Sequence, residues 1–118
     1  MRRLSASNQL PRIGTTASSA TPAINTDNVD QFNITALAAA ITSMTSGLTG
    51  TPINGQKLMI RITGDATPRT IAWGTSFVSS GVATLLATTA ASKTHMVGLV
   101  YDSAAAKWVC VAVDATGY

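Results

Sequence analysis

Glutamate is absent from this chain, cysteine and histidine occur once each, and aromatic residues make up only 5% of its 118 positions. The lone Cys110 excludes an internal disulfide framework. The lone His95 leaves hydrolytic chemistry without a base held by a partner, because the five acids, Asp27, Asp30, Asp65, Asp102 and Asp114, are scattered over turn-like segments. Charged residues amount to 11%, far below the roughly 25% usual in soluble domains. A hydrophobic content of 46% nevertheless excludes wholesale disorder. The longest largely apolar stretch, Leu37 to Leu48, is about half of what a membrane span requires, so no transmembrane helix and no membrane partner are expected. Met1-Arg-Arg-Leu4 has the charge of a signal-peptide opening, but Ser5 to Arg12 offers no apolar core to follow it, and no secretion signal is expected.

Threonine and serine supply most of the polar surface, a choice that suits β-structure because threonine is β-branched. The few charges are unevenly distributed. Arg2, Arg3 and Arg12 precede the first acid, Asp27, and beyond them five basic residues face five acidic ones, so the net charge of +3 resides at the start of the chain. Residues 1–26 also lack the large apolar side chains needed for a core, and Pro11 and Pro22 favour extended backbone before them. The expected organisation is an extended N-terminal anchoring arm over 1–26 and one β domain over 27–118.

From Asp27 onward the apolar period is two. Gln31 to Thr35 alternates, and the ambiguous segment Ala36 to Met44 is read as strand. In Lys57 to Thr63, Leu58, Ile60 and Ile62 share one face while Lys57, Met59 and Arg61 share the other. Gly64 to Pro68 reads as a hairpin connection to Arg69–Trp73, with Ile71 and Trp73 pointing inward together. Further strands are expected at Phe77-Val78, His95–Tyr101 and Lys107–Val113. The last two are apolar on both sides: Val97, Leu99 and Tyr101 oppose Met96, Gly98 and Val100, and Trp108, Cys110 and Ala112 oppose Val109, Val111 and Val113. A strand apolar on both faces is covered on both. The fold class is therefore all-β, an antiparallel β-sandwich, with the second face calling for another copy of the chain.

In order, Gly55-Gln-Lys-Leu-Met-Ile-Arg-Ile62, Arg69-Thr-Ile-Ala-Trp73, Lys93, Gly98-Leu-Val-Tyr101 and Lys107-Trp108 form a set that resembles the small β-sandwich modules of tailed-bacteriophage virion proteins: head fibres, capsid decoration or cement proteins, and tail fibres. The resemblance covers roughly Asp30 to Val113. It implies a jelly-roll-like sandwich, a homotrimer, no enzymatic activity, and attachment to the major capsid protein or another virion protein at the capsid surface through an N-terminal segment. The alternative it carries is a tail-fibre module recognising host-surface glycan.

In the docking reading, Arg2, Arg3 and Arg12 pair with partner carboxylates while Leu4, Leu10, Pro11 and Ile13 fill shallow apolar pockets. Nucleic acid is disfavoured, because three cations with no interleaved aromatic give a thin electrostatic footprint. Trp73, Met96, Val100, Tyr101, Trp108, Val109 and Val111 are expected in the core or at a subunit interface. Trp73, Tyr101 and Trp108 could instead stack on sugar, although so few aromatics are needed to fill the core. Arg69 is a candidate cation–π partner of Trp73 or Tyr101. His95 and Cys110 read as packed residues. Asp27-Asn-Val-Asp30 lacks the ligand spacing of a calcium loop, so neither metal nor cofactor is expected.

Overall fold

The computed structural model describes residues 10–118. Among them the fold is all-β, without a helix. The strands are β1 (Ile13–Thr16), β2 (Ile24–Asn25), β3 (Gln31–Leu37), β4 (Leu48–Thr49), β5 (Lys57–Gly64), β6 (Phe77–Val78), β7 (Thr94–Asp102) and β8 (Lys107–Val113). Six form one sheet in the order β1-β3-β5-β7-β8-β6, and β2 pairs with β4 in a separate two-stranded ladder.

The sheet is mixed, which corrects the antiparallel expectation in part. β5, β7 and β8 are antiparallel neighbours, whereas β1, β3 and β5 run parallel, as do β6 and β8. Parallel neighbours need long crossovers, usually helical ones. Between β1, β3 and β5 the crossovers are 17–30 and 38–56; the first is rich in Pro, Ser, Thr, Asn and Asp and the second in Pro, Gly, Ser and Thr, and neither forms a helix. They contribute β2 and β4 instead, and these two strands pair with each other. The crossovers approach so closely that a Cβ on Gly47 would sit 2.2 Å from the carbonyl oxygen of Pro22, so this position admits only glycine.

One core unites the layers. Phe32, Ile34, Leu58, Ile60, Ile62, Val97, Leu99 and Trp108 come from the large sheet, and Ile24, Ile41, Met44, Ile71, Trp73 and Leu86 come from the segments outside it. Alternation accounts for the sheet contribution, since β5 buries Leu58, Ile60 and Ile62 and leaves Met59 and Arg61 half-buried. Ile71 and Trp73 do point inward together.

Three expectations about local structure are revised. The hairpin joining β5 to Arg69–Trp73 does not form, because both edges of β5 are already taken by β3 and β7. The 69–73 peptide is held instead by single bridges, Ile71 to Ile41 and Thr70 to Thr88. The segment 36–44 is strand only as far as Leu37, after which it curls over the core to bury Ile41 and Met44. Finally, packing does not begin at residue 27. β1 extends the sheet beside β3, and Ile24 is fully buried, so residues 13–26 belong to the folded body.

Candidate functional site

The two faces of the large sheet differ. Register places Ile13, Gln31, Met59, Gly98 and Ala112 in one transverse row of the outer face. Val100, Val109 and Val78 form the next row, beside Lys57. Arg61 and Met96 lie in a third row, beside Asn33. Met59, Met96, Val100 and Val109 are half-buried, while Ile13, Val78 and Val111 are 53%, 37% and 46% exposed. Among the described residues no element covers this apolar band. Neither Lys57 nor Arg61 has a salt-bridge partner among the described residues, whose two ion pairs are Arg12–Asp30 and Arg69–Asp65, and the row beyond Val100 and Val109 sets Asp102 beside Lys107.

A bulge in β8 alters the face assignments expected from strict alternation. Gly98 pairs with Ala112 and Leu99 with Cys110, so Val111 is the extra residue. Beyond it the facing reverses: Ala112 turns outward, and Val113 packs against the core opposite Val97.

The expected anchoring residues divide. Arg2, Arg3 and Leu4 lie outside the described residues. Leu10 is 83% exposed, Pro11 is exposed, and Ile13 joins the outer face. Arg12, expected to seek a partner's carboxylate, is instead occupied within the chain. Its guanidinium donates to both oxygens of Asp30, at 2.9 and 3.3 Å, and to the carbonyl of Asp27 at 2.8 Å. Its backbone N–H also donates to Asp30, and its carbonyl accepts from the N–H groups of Asp30 and Gln31. This clip fastens the start of β1 to the start of β3. The hydrogen-bonded guanidinium, aided by the backbone N–H, holds the Asp30 carboxyl below its ordinary range, and Asp30 in turn raises Arg12.

Trp73, Phe77 and Trp108 are buried, and Tyr101 packs against the core. Trp73 is buried, donates its indole N–H to the Leu86 carbonyl at 2.7 Å and meets Phe77 edge to face. Trp108 is buried against Tyr101 in a second edge-to-face pair with centroids 5.2 Å apart. Two buried indoles cannot form an exposed stacking platform. Arg69 does not lie over an aromatic ring in a cation–π contact; it forms a two-point pair with Asp65, at 2.7 and 3.2 Å. The hydrogen-bonded guanidinium holds Asp65 below its ordinary range.

His95 is fully buried and bonded at both nitrogens. The Ala90 N–H donates to Nε2, so Nδ1 carries the proton and donates to the Asp114 carbonyl at 2.9 Å. It ties the end of the chain to the segment before β7. Burial pushes the Cys110 thiol up, which disfavours the thiolate. Among the described residues no three His, Cys or acidic side chains cluster as a metal would require.

One open cavity of about 180 Å3 lies beside the turn between β7 and β8, bordered by Gly50, Ser76, Tyr101, Ala106 and Trp108. Trp108 is buried and Tyr101 packs half-buried against the core, but sequence reasoning missed the cavity they border, which depends on the second crossover reaching the β7–β8 turn. Asn54 Oδ1 accepts from the Ser103 N–H, and Gly55 N–H donates to the Tyr101 carbonyl, fixing that approach. Compared with protein-family models, with curated proteins and with solved structures, the chain matches none of them.

Proposed function

We propose that this chain is a non-enzymatic structural protein of a tailed-phage virion, a capsid decoration, cement or head-fibre protein that attaches at the capsid surface. It assembles as a homotrimer through the outer face of β5, β7 and β8. In this reading the large sheet and the β2–β4 layer form a jelly-roll-like sandwich with parallel crossovers, and the cationic residues before β1 dock on the major capsid protein or another virion protein.

The observation that carries the reading is the uncovered apolar band of Met59, Met96, Val100, Val109 and Val111 on an otherwise packed sheet. Apolar area of this kind marks interaction sites. The threefold number rests on the resemblance, and a cyclic trimer sets each face against a different surface of its neighbour.

Imaging of intact particles, with mass spectrometry of purified virions, tests the assignment. The expected result is density for this chain at capsid positions in copy numbers that follow the symmetry axes. Its absence from purified particles would overturn the proposal. Deleting residues 1–9, which removes Arg2, Arg3 and Leu4 but spares the Arg12 clip, is expected to abolish attachment and leave the body folded.

A further inference from the structure

We propose that the cavity beside the β7–β8 turn binds a single neutral sugar ring, presented as a free glycoside or as the end of a glycan. Its volume of about 180 Å3 falls below the roughly 300–1,000 Å3 of sites for drug-sized ligands, so one ring is the appropriate scale. No charged side chain lines it, which leaves a phosphate or carboxylate without a counter-charge. Thr49, Ser76 and Tyr101 bring hydroxyls to its lining, and Leu48 and Pro52 bring carbon. A lining that is mainly polar and uncharged suits a pyranose, with its ring of O–H groups, better than it suits an apolar molecule.

Trp108 supplies the deciding asymmetry. The indole N–H of Trp73 has its acceptor in the Leu86 carbonyl, whereas the N–H of Trp108, in a residue only 1% exposed, has no acceptor among the described residues. Buried indole donors normally find a partner. Trp108 is one of the residues lining this cavity, and a ligand hydroxyl within reach of its N–H would accept the bond. Among the described residues, Ser76 Oγ and Tyr101 Oη likewise make no hydrogen bond. The site is separate from the assembly surface, because Tyr101 and Trp108 lie in the register row of inward residues while the proposed subunit contact uses the opposite face. Thr49, Gly50 and Ala106 at its mouth are exposed.

The test is a titration of the full-length 15N-labelled chain with methyl α-D-glucopyranoside, methyl β-D-galactopyranoside and N-acetyl-D-glucosamine, followed by amide and indole N–H resonances. Inorganic phosphate and N-acetylneuraminic acid serve as anionic probes, and cyclohexanol as an apolar one. At least one neutral sugar is expected to move the Trp108 indole signal and the amides of Gly50, Ser76 and Ala106, leaving the Trp73 indole in place. Ser76→Ala and Tyr101→Phe, each removing one hydroxyl with little change in shape, are expected to weaken binding by about five- to tenfold, the loss of one hydrogen bond. The proposal is overturned if no neutral sugar shifts the Trp108 indole, if the anionic or apolar probes bind as well, or if both variants bind like the parent. Light scattering on the same samples separates this outcome from the assembly reading, since a monomer that binds sugar would refute only the trimer.

Discussion

The inner and outer faces of the same six-stranded sheet carry apolar side chains to opposite ends. Inward residues such as Ile34, Ile60, Ile62 and Val97 are fully buried by the crossover layer. Outward residues on the same strands, Met59, Met96, Val100 and Val109, are only half-buried. The inner face is satisfied by one chain, and its hydrophobicity explains folding. The outer face is hydrophobic without a folding reason, and it is this difference that the proposed assembly uses.

The largest effect should come from the inner face. Ile60→Ala removes a fully buried side chain from the central strand and is expected to cost about 2–5 kcal/mol, read from the urea midpoint. Met59→Ala, one residue away on the other face, is expected to cost well under half as much when both are measured on dilute protein. Equal losses would erase the distinction between the faces.

A charge on the outer face sharpens the comparison from the other side. Val111→Asp falls on the exposed bulge residue and is expected to leave monomer stability within about 0.5 kcal/mol while dissociating the assembly. Circular dichroism checks the first outcome and sedimentation the second.

The ion pairs give a smaller, pH-dependent effect. Asp30 and Asp65 both have carboxyls held below the ordinary 3.8 by their arginine partners, so they contribute stability that is complete above that value and is lost as pH falls through the lower native one. Asp65→Asn is therefore expected to flatten the acid limb of the stability curve and to leave the region above pH 7 sloping as before. Acid titration followed by tryptophan fluorescence measures this.

The smallest effect is local. Ala106 sits in the left-handed region at φ 55°, a conformation that costs an L-residue roughly 1–2 kcal/mol. Glycine removes that strain but restores about 0.4–1 kcal/mol of unfolded-state entropy. Ala106→Gly is expected to stabilise by a net ~0.5 kcal/mol, visible as a slightly higher urea midpoint.

What was legible in the sequence follows from what alternation encodes. β8 was read with its exact bounds, β5 and β7 to within a residue at their ends, and the inward set of β5 was identified in full. Alternation says which side chains share a face but not which strand lies alongside or in which direction. The parallel crossovers and the failure of the 64–68 turn to make a hairpin were therefore invisible. The Val111 bulge was equally hidden, since one unpaired residue in an all-apolar run leaves no compositional mark. Arg12 looked free because its partner Asp30 is eighteen positions away, a distance closed only when β1 pairs with β3. The cavity was missed for a related reason: its wall comes from segments that meet only through tertiary contacts.

Multi-angle light scattering of the full chain at micromolar concentration, alongside Val111→Asp, tests most directly whether the outer sheet face joins copies of this protein. The account predicts a mass three times the 12.1 kDa chain for the parent and a single-chain mass for the folded variant. A parent that remains at 12.1 kDa, or a variant that assembles like the parent, would contradict it.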